Sequence, residues 1–415
     1  MLLTEKSVSK TSTKKNTLKL GIIANEFFDL SVGRMGGFGW ATRQVAKCFQ
    51  DPNLGVEVVF LSGELTKGNP TESATANREL KTIHGTRLIP RQPNRWANML
   101  QLWQEKIDVL LAIDYRPDYR YLFKLLPKTP IIVWVRDPRP PEDVTKIQTI
   151  RIPEAEDKVP RGLGAIDCTS LANIVKKSQW LNRPVIFGTP ASFLKSKVEG
   201  TYGVANADVG LLPNIIDLDP GKIVKSAKPT VVFLARLDPY KRPWLFVELA
   251  RRFPDVEFIF LGKPHFQGEG AWEHSAETLP DNVRLLGHVQ GEAKTKILSQ
   301  AWVLINTSIH EGLAVSFQEA LKCETPILSS VNPENVVSRF GIYVGHWKGT
   351  GMEGIPTFEA GLRKLLTDTE LRTRLGREGR QWVSQTHSKA SFLQAFQQLC
   401  LRAGVDYQYS LSATE

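Results

Sequence analysis

Residues 302–319 read Trp-Val-Leu-Ile-Asn-Thr-Ser-Ile-His-Glu-Gly-Leu-Ala-Val-Ser-Phe-Gln-Glu. Trp302–Asn306 is a short, almost wholly apolar run; a polar turn follows, and then a segment of helical character. A strand that is continuously apolar is covered on both faces, as parallel strands are in layered α/β proteins. The same unit recurs in both directions from this stretch. Strands are predicted over Leu18–Ala24, Val56–Leu61, Val109–Ile113, Ile131–Val135, Val185–Gly188, Val231–Ala235, Val256–Leu261, Val283–Leu286, Trp302–Asn306 and Pro326–Leu328. Helix-period segments separate them, such as Trp244–Arg252, where Leu245, Phe246, Leu249 and Ala250 share a face. Strand–helix–strand alternation implies parallel sheets with right-handed crossovers. Ten strands exceed one doubly wound sheet, so two α/β domains are expected.

The 415 residues, 42 % apolar and 23 % charged, suit an ordinary globular chain of two or three domains. No apolar run approaches the ~20 residues that span a bilayer. Met1–Asn16 is rich in Ser, Thr and Lys, and residues 1–16 are read as a disordered leader. Domains are assigned to residues 17–215 and 216–390, with a seam near Leu211–Lys228 where Pro213, Pro220, Gly221 and Pro229 interrupt the pattern. Residues 391–415 form a C-terminal helix and tail that could cross back to the first domain. Asp137–Arg161, with five prolines, reads as a long surface excursion of the first domain. Cys48, Cys168, Cys323 and Cys400 lie far apart without CxxC spacing, which points to buried thiols in a reduced, cytoplasmic protein. The net charge of +10 suits a polyanionic ligand or an anionic membrane surface. No nucleic-acid-binding motif accompanies it, and nucleic acid is not expected as a partner.

Three constellations carry chemistry. Gly33-Arg34-Met35-Gly36-Gly37-Phe38-Gly39 lies between the first strand and a helix predicted to begin near Trp40. Its glycines permit close backbone approach, and the helix N-terminus offers amides to phosphate; a tight turn is the plainer alternative. It is neither a P-loop nor a short-spaced dinucleotide fingerprint. Arg236-Leu237-Asp238-Pro239-Tyr240-Lys241-Arg242 follows a strand end, where open α/β sheets bind ligands, and its cations could neutralise a diphosphate. In His310–Glu319, a helix running from Gly312 would place Glu319 ~12 Å beyond Glu311. That separation suits the two ends of an extended ligand better than an acid/base pair. Ionised carboxylates accept well from sugar hydroxyls.

In this order and spacing the motifs resemble the family-four retaining glycosyltransferases of the GT-B fold, over roughly Leu18 to Ser388. The resemblance rests on the Glu-x7-Glu element at Glu311 and Glu319, the Arg236 and Lys241 pair, and Gly36, Gly37 and Gly39. Leu212-Pro213-Asn214-Ile215-Ile216-Asp217 is similar to the family's domain junction, and Gly262 and Gly287 fall on similar text. The resemblance implies two Rossmann-like domains facing a cleft and transfer of a sugar, with retention, from a nucleotide-sugar donor to a carbohydrate, lipid-linked or other hydroxyl acceptor. It implies that Arg236 and Lys241 meet the donor diphosphate in place of a metal, joined by the amides of Gly312, Leu313, Ala314 and Val315 through Ser316. Glu311 would bind the transferred sugar, Glu319 the ribose, and Gly37 the phosphates on closure. No cofactor and no metal are expected.

Two departures stand out. Arg136-Asp137 replaces the family's His-Asp at the sugar pocket, so Arg136 would bind an anionic group of donor or acceptor, or pair with Asp137. Gly312-Leu313-Ala314 replaces Gly-Phe-Gly, so Ala314 narrows the room for phosphate. His288 could lie beside the nucleobase. Asp217-Leu218-Asp219 has metal-clamp spacing, but the architecture does not need a metal there. The alternatives are an epimerase or phosphorylase of the same fold, a non-catalytic carbohydrate-binding scaffold, and a nicotinamide-dependent oxidoreductase. The last needs an acid closing the second strand, and Glu57 opens it.

Overall fold

The computed structural model describes residues 17–26, 36–62, 82–90, 94–153, 155–164, 166–265, 267–272 and 279–409. The leader at 1–16 and Gly33, Arg34 and Met35 lie outside the described residues. The first half runs β1 (Leu18–Ala24), α1 (Gly37–Cys48), β2 (Val56–Ser62), β3 (Thr82–Ile83), β4 (Thr86–Ile89), α2 (Arg95–Gln104), β5 (Val109–Ile113), α3 (Arg120–Leu125), β6 (Ile131–Trp134), α4 (Pro141–Gln148), α5 (Ser170–Trp180), β7 (Val185–Thr189), α6 (Lys197–Tyr202) and β8 (Val209–Leu211). Its strands form one sheet in the order β3-β4-β2-β1-β5-β6-β7-β8. Every pairing is parallel except β3 with β4.

The second half contains β9 (Thr230–Leu234), α7 (Pro243–Arg252), β10 (Glu257–Leu261), β11 (Val283–Leu285), α8 (Gly291–Gln300), β12 (Val303–Asn306), α9 (Val315–Lys322), β13 (Ile327–Ser329), α10 (Val336–Phe340), β14 (Gly341–Tyr343), α11 (Ile355–Thr367), α12 (Thr369–Thr386) and α13 (Lys389–Arg402). Its sheet is wholly parallel, in the order β11-β10-β9-β12-β13-β14.

The predicted strands are present with small shifts at their ends, and β3, β4, β8 and β14 are additions. These four are two to four residues long. β3, β8 and β14 are edge strands, so they lack the continuous apolar run that marks a strand buried between neighbours. All four cysteines are buried thiols. Among the described residues no helix is long and apolar enough to cross a membrane.

Two expectations about connectivity are corrected. Asp137–Arg161 is not a surface excursion of the first domain alone. Its Ile147, Ile150 and Ile152, with Leu163, sit in one apolar cluster with Val231, Phe233 and Tyr240 of the second half. Arg161 hydrogen-bonds the Gly270 and Glu269 carbonyls from the same segment. The segment is therefore a strap between the halves, held by burial of its isoleucines. Helix starts also differ: α1 begins at Gly37 and α9 at Val315, not near Trp40 and at Gly312. The glycines of the first loop thus cap and open α1. At the far end, α13 packs on β7 and β8, where Leu399 lies against Gly188 and Gly210. Phe49 contacts Phe392, Phe396 and Tyr407.

Strand order reverses between β1 and β5 in one sheet and between β9 and β12 in the other. Such switch points leave a crevice at the carboxyl ends of the strands, since the flanking helices diverge to opposite faces. The site is built there.

Candidate functional site

β9 delivers Arg236 and Lys241. Arg236 Nε lies 3.1 Å from Asp238 Oδ2, and an Nη donates to the Tyr240 hydroxyl at 2.5 Å. Burial draws Arg236 toward the neutral form, but Tyr240 and Asp238 outweigh it and the guanidinium is held charged. Lys241 Nζ sits 2.6 Å from Glu311 Oε1 and 4.7 Å from the Tyr240 ring centroid. Burial disfavours both charges of this pair. Their mutual attraction wins, raising the lysine and lowering the carboxyl. The third basic residue of the heptapeptide has a different fate. Arg242 is wholly buried and donates to the Thr307, Ser308 and Trp347 carbonyls and the Ser330 hydroxyl. It rivets the β9 loop to the β12 loop and does not face a ligand.

β12 delivers Glu311. Asn306, at the strand's last residue, and Ser308 donate to Glu311 Oε1 at 3.0 and 2.6 Å. With Lys241, three donors converge on that one oxygen. Glu319, one α9 turn further into the helix, meets Lys294 of α8 at 2.5 Å. Ala314 is the N-cap of α9 and offers no side-chain cap to the amides behind it, while Leu313 and Ala314 are buried.

The glycines separate into two kinds. A Cβ at Gly312 would lie 2.2 Å from the Arg136 carbonyl oxygen, so this residue lets the two halves touch backbone to backbone. A Cβ at Gly262 would lie 1.8 Å from the Ala235 carbonyl oxygen, and its amide donates to the Gly287 carbonyl, so it packs the β9 and β10 ends together. Gly36 and Gly39 face a different partner. Gly39 N donates to Glu26 Oε2 at 3.1 Å, and a Cβ on Gly36 would lie 2.7 Å from that atom. Gly37 has open space around it. The α1 N-terminus read as a phosphate cradle therefore carries the chain's own carboxylate, whose charge also acts on Arg136 and Arg236.

Arg136 does not line the cleft. It is 5 % exposed, stacks at 4.4 Å over Trp134 and donates to Asn214 Oδ1 at 2.5 Å. Asn214 Nδ2 donates to Gln318 Oε1 at 2.8 Å, and Gln318 Nε2 meets His387 Nε2 at 3.1 Å. An amide NH2 only donates, so the chain runs one way, Arg136→Asn214→Gln318→His387, and places the imidazole proton on Nδ1. Burial pushes His387 down to about 3. This buried line joins β6, the interdomain junction, α9 and the end of α12. Asp137 instead accepts from Arg139 at 2.7 Å and pairs with His310 at 2.9 Å, across the two halves. Burial opposes its charge, but Arg139 and His310 hold it well below the usual carboxylate range. His288 is half-buried, and its lowered pKa follows from burial first and from Lys294 and Lys263 next. Asp217 pairs with Lys47 at 3.2 Å, and among the described residues no group of His, Cys, Asp and Glu could hold a metal.

Sequence reading missed Glu26, Arg139, Lys294 and Gln318. The last stands inside the Glu-x7-Glu element, but its partners are 69 and 104 residues away. Asn306 and Ser308 carry a signal in the sequence: polar residues at the mouth of an apolar strand.

Residues 216–382 match the family model described as glycosyl transferases group 1. Among curated proteins, trehalose synthase from Rubrobacter xylanophilus is 25 % identical over 181 residues, 40 % of this chain and 40 % of that protein. A glycosyltransferase 1 domain-containing protein from Xenopus tropicalis is 24 % identical over 172 residues, 41 % of this chain and 48 % of that protein. The chain spans less than half the length of the curated relatives it matches. Among solved structures, sucrose-phosphate synthase from Thermosynechococcus elongatus has a TM-score of 0.65 at 14 % identity, covering 92 % of this chain and 98 % of that one. HepE from Anabaena in complex with UDP-glucose has a TM-score of 0.64 at 14 % identity, covering 92 % and 100 %. The fold is GT-B, and the resemblance to glycosyltransferases holds in the family model, the curated relatives and the fold alike.

Proposed function

We propose that this chain transfers a sugar from a nucleoside-diphosphate sugar to a hydroxyl acceptor, with retention at the anomeric carbon. The observation that carries the reading is the cluster at the second switch point, where Arg236, Lys241 and Glu311 converge beside the α9 N-terminus. Lys241 and Arg236 would neutralise the departing diphosphate, and the first amides of α9 would add their dipole. Lys241, Asn306 and Ser308 all fall on Oε1 of Glu311, which leaves Oε2 to accept from a sugar hydroxyl. Glu319 would take the ribose, sharing its carboxylate with Lys294.

In the proposed step the acceptor oxygen bonds to the anomeric carbon on the face the leaving group vacates. The carbon–oxygen bond to phosphate breaks and the diphosphate leaves with its electron pair. The acceptor proton passes to a phosphate oxygen. Cationic side chains are proposed for the role a divalent ion plays elsewhere. A carbohydrate or a lipid-linked hydroxyl is the proposed acceptor, met from the first domain. The nicotinamide alternative loses ground, since Glu57 pairs with Lys19 and Arg87 at the start of β2, away from the crevice.

Thermal unfolding with UDP, GDP, ADP and NAD tests the reading. Stabilisation by one nucleoside diphosphate supports it and identifies the donor base. A shift with NAD alone overturns it.

A further inference from the structure

α2, α3 and α5 cover one face of the first sheet and share an apolar cluster through Leu102, Leu122, Phe123, Leu171 and Ile174. Their outward sides are unusual in two independent respects. Large apolar groups are exposed: Trp96, Leu100 and Trp103 on α2 at 71, 56 and 53 %, and Trp180 and Leu181 at the end of α5 at 91 and 53 %. The three on α2 fall at i, i+4 and i+7, a single stripe. The charge is also of one sign. The three helices carry Arg95, Arg120, Lys124, Lys176 and Lys177 and no Asp or Glu. All five cations are exposed, and the helices are laced side by side, Trp103 Nε1 donating to the Leu125 carbonyl and Arg183 to Phe123 and Leu126.

We propose that this face docks on an anionic bilayer. Tryptophan with lysine and arginine is the composition that settles at a membrane interface, the indole among headgroups and the cation against lipid phosphate. A second protein chain fits less well, because protein interfaces are depleted in lysine and three of the five cations are lysines. A single nucleic-acid strand wants a groove with a stacking platform, and this face consists of helix exteriors. α2 starts just after the carboxyl end of β4, so Trp96 lies at the rim where the crevice opens. The face would hold that rim against the lipid surface, and in this respect it deepens the lipid-linked acceptor reading. Docking itself does not depend on that reading.

Co-sedimentation of the full chain with vesicles of phosphatidylcholine, alone or mixed with phosphatidylglycerol, tests the proposal. The chain is expected to sediment with the mixed vesicles, to release as salt rises, and to stay in solution with neutral ones. Lys176→Gln with Lys177→Gln should weaken binding by roughly fivefold per cation removed. Trp96→Gln and Trp180→Gln should each weaken it by roughly tenfold. Both sets should leave the unfolding temperature and nucleoside diphosphate binding unchanged, since these side chains are exposed on helix exteriors and none belongs to the cluster of Arg236, Lys241 and Glu311. The proposal is overturned by equal sedimentation with neutral vesicles, by none with either, or by variants that bind like the parent. Displacement by a single-stranded oligonucleotide, or a tryptophan-dependent dimer without vesicle binding, also overturns it. A docking chain that binds no nucleoside diphosphate would sink the transferase reading alone.

Discussion

The two walls of the crevice are built on the same plan and finished differently. On the β9–β12 wall, charge is paired and oriented in place: Lys241 on Glu311, Arg236 on Asp238 and Tyr240, and Arg242 fastening the loops beneath. On the β1–β5 wall, the groups that could meet a ligand are spent within the protein. Glu26 takes the Gly39 amide, and Arg136 faces the interdomain junction. One wall holds its charges in place for the proposed diphosphate sugar, and the other must release something before it contributes. Electrostatic stabilisation is strongest where dipoles need no reorganisation, so the first wall should dominate rate and the second should tune affinity.

The largest effect should follow Lys241→Ala. It removes a cation from the proposed leaving group and strands Glu311 in a buried place. Turnover, read as release of nucleoside diphosphate, should fall by about 10² to 10³. A loss of similar size on changing Glu26 instead would break the contrast between the walls. Next is Gly312→Val, which would drive a side chain into the Arg136 carbonyl. Overpacking of this kind costs roughly 1–3 kcal/mol, and relief would come by parting the halves. Small-angle scattering should show a larger radius of gyration; an unchanged one would place the interdomain contact elsewhere.

The line from Arg136 to His387 ties the walls together and gives a pH signature. His387 is depressed to about 3 by burial, against an ordinary value of 6.5. Below pH 6.5 the unfolded chain gains a proton that the native site refuses. Stability from this group is full above 6.5 and lost by roughly 1.4 kcal/mol per unit as pH falls toward 3. Asp114, raised by burial to about 6, works in the opposite sense, since its native form holds the proton more tightly between 3.8 and 6. Subtracting the curve of His387→Gln from that of the parent isolates the histidine, because Asp114 is common to both, and the glutamine retains an acceptor for Gln318. The difference should grow steadily as pH drops below 6.5. A flat difference would mean that the imidazole is not held neutral.

The contrast also marks what the sequence could disclose. The β9–β12 wall was legible because its parts lie on two short stretches, each directly after a strand whose apolar run is hard to misread. Arg236, Lys241 and Glu311 needed no long-range pairing to be picked out. What could not be told was which of three neighbouring cations is structural. Arg242 differs from Lys241 only in what is packed over it, four groups contributed by residues 307–347. The other wall was poorly legible for the same reason. A glycine next to a ligand and one next to the protein's own groups look alike in a sequence: Gly36 and Gly39 lie against Glu26, as on the opposite wall Gly262 and Gly312 lie against backbone. Edge strands such as β14 and the strap at Asp137–Arg161 take their structure from partners far along the chain.

The smallest effect, and the one that bears most directly on the second wall, concerns Glu26. Its carboxylate sits where the α1 dipole favours an anion, and it competes there with any phosphate that approaches Gly37. A charge at a helix N-terminus contributes roughly 0.3–1 kcal/mol, so vacating it should shift affinity only a few-fold. Glu26→Gln keeps an acceptor for the Gly39 amide and removes the charge felt by Arg236 and Arg136. Binding of the nucleoside diphosphate, measured by calorimetry, should therefore tighten by roughly two- to fivefold. The gain should shrink as salt screens the charge. Weaker binding would mean that Glu26 touches the ligand itself, and the β1–β5 wall would then be as ready as its counterpart.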